Sequence, residues 1–345
     1  MSVISSSECM NTVQKQTTNT ALLTSYLFPV LSDLEQLEKD LKYSTVTTSA
    51  EAKKMIHHVF SGVGKRVRPA IYFLVCKMLN YQGKHKLPVA VAIEYVHTAS
   101  LLHDDVVDDS KIRRNKATLH SIWGCESAIL VGDLIYSTAS EILTTTNKLE
   151  IVANFARTIR VMSEGELVQL ENIFNLSMKL DTYISILQAK TGCLLGTACS
   201  SAGILAELTP KACQILSQFG EYLGIAFQLV DDALDFSATT KEFGKTKNKD
   251  LLEGRITLPL LLLQNHASVN ELNQLTKILL QDKILPEDIE VMKQMVTKYK
   301  TSQATINLAK KYTEQALSIL TKNFPQSHER QNLERLAQAL VQREF

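Results

Sequence analysis

Little in this chain turns or alternates. Glycine and proline supply only 13 and 7 of its 345 residues, and no stretch alternates strictly between apolar and polar side chains. The chain therefore reads as nearly all helical. Its six cysteines (Cys9, Cys76, Cys125, Cys193, Cys199 and Cys213) show neither CxxC nor zinc spacing, and most fall in apolar helical stretches. Buried free thiols in a reducing cytoplasm suit that pattern. Neither sign of charge dominates, with 37 Lys and Arg against 36 Asp and Glu, which argues against a general nucleic-acid binder. No uninterrupted run of about 18 apolar residues is present, so nothing is expected to span a membrane. The N-terminus is rich in Ser, Thr, Asn and Gln. It lacks the charged head and apolar run of a signal peptide, and the arginines of a mitochondrial transit peptide. With no Gly/Ser-rich linker and no fixed-period repeat, residues 1–20 read as a frayed polar segment and 21–345 as one helical domain.

What is present is acid at helical spacing. Leu101-Leu102-His103-Asp104-Asp105-Val106-Val107-Asp108-Asp109, with Arg113 and Arg114 just after, closes an apolar run over 89–102. Asp104 and Asp108 are four apart, so one helical face carries both, with Asp105 beside them. Like charges at that spacing destabilise a bare helix, and acids at a helix C-terminus oppose its dipole. Carboxylates alone, with no Cys or His at ligand spacing, point to Mg²⁺ that keeps waters and also holds a phosphate. The plainer reading, acids that cap or solvate a helix end, fails on a second copy. Phe227-Gln228-Leu229-Val230-Asp231-Asp232-Ala233-Leu234-Asp235 repeats Asp-Asp-x-x-Asp after another apolar helical stretch.

In chain order, amphipathic helices are expected over 22–41 and about 49–59, the second stopping at Ser61-Gly62-Val63-Gly64. Lys65, Arg66 and Arg68 come next, with Pro69 in the first turn of the next helix. Cations after glycines and before a helix N-terminus suit an anionic ligand as well as solvent. Long helical segments cover 128–145 and 149–174, the latter carrying Glu164, Glu166, Gln169 and Glu171. A helix over 181–207 is interrupted by Lys190-Thr191-Gly192, where the lysine either snorkels to solvent or faces a pocket. Thr209-Pro210 opens the helix that carries the second acidic motif. Residues 239–249 form a lysine-rich loop with Gly244-Lys245, and beyond 270 shorter, more exposed helices are expected.

Set antiparallel, the two motif helices face each other across a cavity. Its mouth would carry six or more carboxylates with Mg²⁺, ringed by Lys65, Arg68, Arg113, Arg114, Lys190, Lys245 and Arg255. That is an arrangement for a diphosphate bridged to protein by metal, above apolar walls that fit a hydrocarbon tail. Metal and cations would stabilise a departing diphosphate, and a dry pocket would protect the allylic cation left behind. A second, non-ionising diphosphate on the basic loop would bring the attacking double bond. No Ser/His/Asp or Cys/His signature of covalent catalysis is present.

The two motifs, the Gly64-Lys65-Arg66-Val67-Arg68-Pro69 segment, His97, Arg113-Arg114, Lys190-Thr191 and Asp250-Leu251-Leu252-Glu253-Gly254-Arg255 resemble a trans-polyprenyl diphosphate synthase, from about residue 22 to the C-terminus. The resemblance implies an all-α isoprenoid-synthase fold, a homodimer, and condensation of isopentenyl diphosphate with an allylic diphosphate such as farnesyl diphosphate. It implies that Asp104, Asp105, Asp108 and Asp231, with Asp232 and Asp235 of the same motif, hold Mg²⁺ on the allylic diphosphate. Arg113, Lys190 and Lys245 would support that group, and Lys65, Arg68, His97 and Arg114 would bind isopentenyl diphosphate, with Arg255 in the same ring of cations. Thr191 and Gln228 would line the developing cation. The chain departs from the family at Thr246 and Asn248, where Pro and Gly are common, and at Arg255, where Lys is common; the closing loop is affected more than the chemistry.

A terpene cyclase would lack the second motif and the basic loop, and a regulatory subunit would lose metal ligands; this chain keeps all of them. His103, Tyr95 and Trp123 read as packing residues. In the family a bulky residue one turn before the first motif blocks the growing tail. Here Ala99 and Ser100 stand there, with Val96 and Ala92 further back and Phe155 as a candidate floor. Each turn of about 5.4 Å admits roughly one isoprene unit, so a product of roughly six to ten units, near eight, is expected. A quinone side chain, ubiquinone or menaquinone, and transient membrane contact on product release rest on the family analogy alone.

Overall fold

The computed structural model describes residues 26–45, 47–62, 64, 66–237, 249–281 and 284–341. Its helices are α1 (Leu31–Tyr43), α2 (Ala50–Phe60), α3 (Val67–Met78), α4 (Lys86–Val107), α5 (Leu119–Trp123), α6 (Cys125–Thr144), α7 (Leu149–Glu171), α8 (Leu180–Leu187), α9 (Cys193–Leu205), α10 (Pro210–Ser237), α11 (Lys249–Leu252), α12 (Leu258–Leu261), α13 (Val269–Leu279), α14 (Pro286–Tyr299), α15 (Thr301–Asn323) and α16 (His328–Val341). Among the described residues the only strands are β1 (Ile112–Arg113) and β2 (Lys116–Ala117). The all-α expectation holds.

The middle of helix α4 is enclosed on every side by other helices. Val89 to Val96 are all buried, including Glu94, which an arginine neutralises. Helix α10 joins two hydrophobic clusters. Leu216, Phe219 and Leu223 enter a core shared with α3, α4 and α9, whereas Leu229, Val230 and Phe236 enter one built with α12 to α15. The residue that leads into α9 lies against α10 at backbone contact: a Cβ on Gly224 would sit 2.7 Å from Cα of Gly192. Only glycine fits there, and it fixes the register of the two helices.

Three expectations need correction. Residues 22–41 do not form one helix in the described part: Pro29 lies in a short 3-10 turn (Phe28–Val30), and α1 starts at Leu31. The segment after 270 is not uniformly short or exposed. Helix α15 has 23 residues, buries Ile306, Ala309, Ala316 and Leu320, and sets Tyr312 edge-on to Tyr222 of α10 at 5.8 Å. The small hairpin was not expected. It pairs Arg113 with Lys116, and Arg114 and Asn115 between them both have positive φ, the backbone of a type I′ turn.

Candidate active site

The first motif sits at the C-terminal end of α4, where the helix would repel it, and arginines from elsewhere hold it in place. Arg113 Nε donates to Asp105 Oδ1 at 2.7 Å, and Asp105 is only 4% exposed. Asp108 is the C-cap of α4, and Arg255 Nη2 donates to its carboxylate across 147 residues of sequence. Arg255 also lies 3.5 Å from Glu253 and 3.8 Å from Glu166. Burial, and after it the charge of Glu166, pushes the Asp104 carboxyl up to about 6 against the pull of Lys190.

The second motif lies inside α10, and the break foreseen at Lys190-Thr191-Gly192 is a π-helical turn over Gln188–Gly192. Such a turn inserts one residue and rotates the helix beyond it, a common device at functional sites. Lys190 of this turn meets α7: Nζ lies 2.5 Å from Glu166 Oε2 and donates to Gln169 Oε1. The lysine is thus paired with side chains of α7. Thr191 Oγ1 donates to Gln228 Oε1 at 3.3 Å, and Gln228 Nε2 donates to Asp232 Oδ1 at 2.8 Å. Tyr183 donates its hydroxyl to the other oxygen of Asp232. Asp231 acts electrostatically on Arg68.

The basic side divides in two. Arg66, read with its neighbours as an anion-binding cation, is consumed by the fold: it pairs with Glu38 at 2.5 Å and with buried Glu94 at 2.6 Å, from a left-handed φ of 45°. Arg68 remains for a ligand. Its Nη1 lies 3.0 Å from His97 Nε2, and its buried Nε has no partner among the described residues. Burial, then the charges of Arg68, Arg114 and Arg113, drive His97 well below the ordinary histidine value. Arg114, held by the hairpin, comes within 3.0 Å of where a Cβ on Gly64 would stand. Cations therefore cluster here, with the charges of Glu94 and Asp231 also acting on Arg68. Lys65 and Lys245, and the variant loop positions Thr246 and Asn248, lie outside the described residues.

Ser100, one turn before Asp104, bonds back to the His97 carbonyl at 2.8 Å, and Phe155 is buried at 2% exposure. Ala92, Val96 and Ala99 are fully enclosed in the core beside α3 and α9, so of the residues traced back from Asp104, Ser100 alone keeps partial exposure. His103 is only partly buried, with Nε2 3.2 Å from the Ile129 carbonyl and its ring against Tyr136. Tyr95 packs as expected and donates to the Leu41 carbonyl at 2.9 Å. Sequence reasoning noticed Glu166 and Gln169 without giving them a role, and it passed over Glu94 and Tyr183 altogether. Nothing local marks Tyr183; only the packing of α8 on α10 brings it to Asp232.

A model of the polyprenyl synthetase family matches residues 49–299, which include every candidate site residue. The chain belongs to that family. It is a trans-polyprenyl diphosphate synthase, a prenyltransferase acting on isoprenoid diphosphates. An octaprenyl diphosphate synthase of Escherichia coli K12 is 38% identical over 235 residues, 68% of this chain and 70% of that protein. A polyprenyl synthase of Caulobacter crescentus, solved with calcium and isoprenyl diphosphate, superposes with a TM-score of 0.88 at 31% identity, covering 93% of this chain and 98% of that one. A decaprenyl diphosphate synthase of Rhodobacter capsulatus gives 0.87 at 30% identity over 93% and 100%.

The residues of this polyprenyl synthetase suit a hard divalent cation. Burial and the charge of Glu166 raise the Asp104 carboxyl, and a bound cation would oppose that rise. Among the described residues no three His, Cys, Asp or Glu side chains close on one point as a cage. Mg²⁺ needs none, because it is held by one or two carboxylates, by water and by substrate phosphate. Among the described residues no helix is long and apolar enough to cross a membrane.

Proposed function

We propose that the protein is a Mg²⁺-dependent synthase that adds isopentenyl diphosphate repeatedly to an allylic primer, farnesyl diphosphate or a similar one, to give an all-trans chain of about C30 to C50, near octaprenyl on a count of helical turns. The observation that carries this reading is the division of the cavity. One group gathers Asp104, Glu166 and Lys190; the other gathers Arg68, His97 and Arg114, where the buried acid Glu94 is paired with Arg66. Two diphosphates of different fate need that difference.

Bound at the acidic motifs, Mg²⁺ would neutralise the leaving diphosphate. Arg113 and Lys190 orient the same group, and Lys245 is assigned to it by family likeness. Thr191 and Gln228 face the allylic carbon as its C–O bond breaks and the electron pair leaves with diphosphate. The double bond of isopentenyl diphosphate, anchored at Arg68, His97, Arg114 and Lys65, then forms the new C–C bond. The released diphosphate takes the proton. Arg255, tied to Asp108, links the segment after α11 to this site.

Relatives named for octaprenyl and decaprenyl products favour a long chain. A quinone side chain is the proposed use, in the cytoplasm, with transient membrane contact as the product leaves. A homodimer is proposed too: Ile129 and Leu130 on α6 are exposed at 44% and 67%, an apolar face that a second copy would cover. Incubating the purified chain alone with labelled isopentenyl diphosphate, farnesyl diphosphate and Mg²⁺ tests the reading. Labelled long-chain alcohols after phosphatase treatment support it; no condensation, or a cyclised hydrocarbon, contradicts it.

A further inference from the structure

We propose that Asp232, backed by Tyr183, is a positioning residue that sets the polarity of the Thr191 hydroxyl, and that it does not ligate metal. The proposal rests on the condensation reading above. It begins with what a carboxylate can do. Ionised, it only accepts hydrogen bonds, so the group 2.8 Å from its Oδ1 must be the amide nitrogen of Gln228. The amide oxygen is thereby turned the other way, 3.3 Å from Thr191 Oγ1, and the threonine must donate to it. With its hydrogen committed, Thr191 leaves its oxygen lone pairs for the cavity. A developing cation is attracted by lone pairs and repelled by an O–H hydrogen, so the order of donors along this chain matters.

Two features lock the arrangement. Tyr183 donates to the second oxygen of Asp232, which stops the carboxylate from rotating, and Tyr183 and Asp232 are exposed by only 3% and 4%. The backbone contact of Gly192 with Gly224 fixes α9 against α10, so Thr191 and Gln228 meet at a set height. Thr191 borders a cavity of about 30 Å³ together with Arg68, Phe227 and Leu340. Both oxygens of Asp232 are thus engaged by protein donors, the Tyr183 hydroxyl and the Gln228 amide.

The test compares Asp232→Asn, Tyr183→Phe, Thr191→Val, the double variant Asp232→Asn/Thr191→Val, and Asp231→Asn. An asparagine can turn either end toward Gln228 and so releases the lock. Asp232→Asn is expected to lower kcat about tenfold or more, with KM for both diphosphates within about twofold. Mn²⁺ binding monitored by EPR, with a farnesyl thiolodiphosphate present, should be unchanged in Asp232→Asn and weakened about tenfold in Asp231→Asn. The double variant should be no slower than Thr191→Val alone, because both act through one hydroxyl. Tyr183→Phe keeps the charge, and carries the same comparison should Asp232→Asn melt early by circular dichroism. Loss of Mn²⁺ affinity in Asp232→Asn, or independent multiplying effects in the double variant, would overturn the proposal. A wild type that binds Mn²⁺ and thiolodiphosphate but makes no product would overturn the condensation reading, and the EPR comparison would still decide whether Asp232 ligates metal.

Discussion

Arg68 and His97 are joined at 3.0 Å between Nη1 and Nε2, two groups that would repel if both were charged. Since an arginine only donates, Nε2 accepts and the imidazole is neutral with its hydrogen on Nδ1. Burial, then Arg68, keeps the His97 value well below 6.5. A base depressed in the folded state binds fewer protons there than when unfolded, so stability falls as pH drops below about 6.5. NMR of the imidazole should show no titration from pH 8 down to 6, and His97→Gln should flatten the acid-side loss of Tm. Arg68→Ala should move the His97 titration upward toward the ordinary value.

Asp104 predicts the opposite slope in the absence of metal. Its carboxyl is raised from 3.8 to about 6, so the folded state binds the extra proton and stability falls as pH rises between those values. The full effect is about 3 kcal/mol at most. Melting curves of Asp104→Asn without Mg²⁺ should lose this slope and rise in Tm at pH 7. Mg²⁺ should raise the Tm of the wild type at pH 7 and leave the variant nearly unchanged.

The all-helical architecture and the two acidic helices were legible because period and charge are local properties. Apolar residues at helical spacing gave α4, α6 and α7 to within a few residues, and Thr209-Pro210 marked the start of α10. The π-turn could be seen as an interruption at Gly192, but its direction depends on Gly224, 32 positions later. Arg66 and Arg68 look equivalent in the sequence. Glu38 and Glu94 divide them, and that is a tertiary fact. Tyr183 stayed silent because a tyrosine on an amphipathic helix is ordinary packing until its hydroxyl meets a buried acid.

Gly224→Ala tests the close approach of α9 and α10. The added Cβ would stand 2.7 Å from Cα of Gly192, backbone that cannot step aside like a flexible side chain. Overpacking of this kind costs about 1–3 kcal/mol, and the parting of Thr191 from Gln228 should lower kcat as well. Gly62→Ala is the control, since among the described residues a Cβ there meets nothing within 4 Å. Chemical denaturation of both variants should separate them clearly; equal midpoints would mean the two helices are not locked by contact.

Ser100→Phe probes product length. Ser100 is partly exposed, one turn before Asp104, and bonded back to the His97 carbonyl. An aromatic ring there should stop growth after about three or four isoprene units while turnover continues. Mass spectrometry of the extracted alcohols reads the result. An unchanged distribution would place the growing tail on another face of α4.

The division of labour between the two subsites is tested most directly by calorimetry of each ligand with and without Mg²⁺. Isopentenyl diphosphate should bind in the absence of Mg²⁺ and lose about tenfold or more in affinity in Arg68→Ala. Farnesyl thiolodiphosphate should bind tightly only with Mg²⁺ and depend on Asp104 and Asp231. Equal dependence of both ligands on Mg²⁺, or equal sensitivity of both to Arg68→Ala, would contradict the two-subsite account.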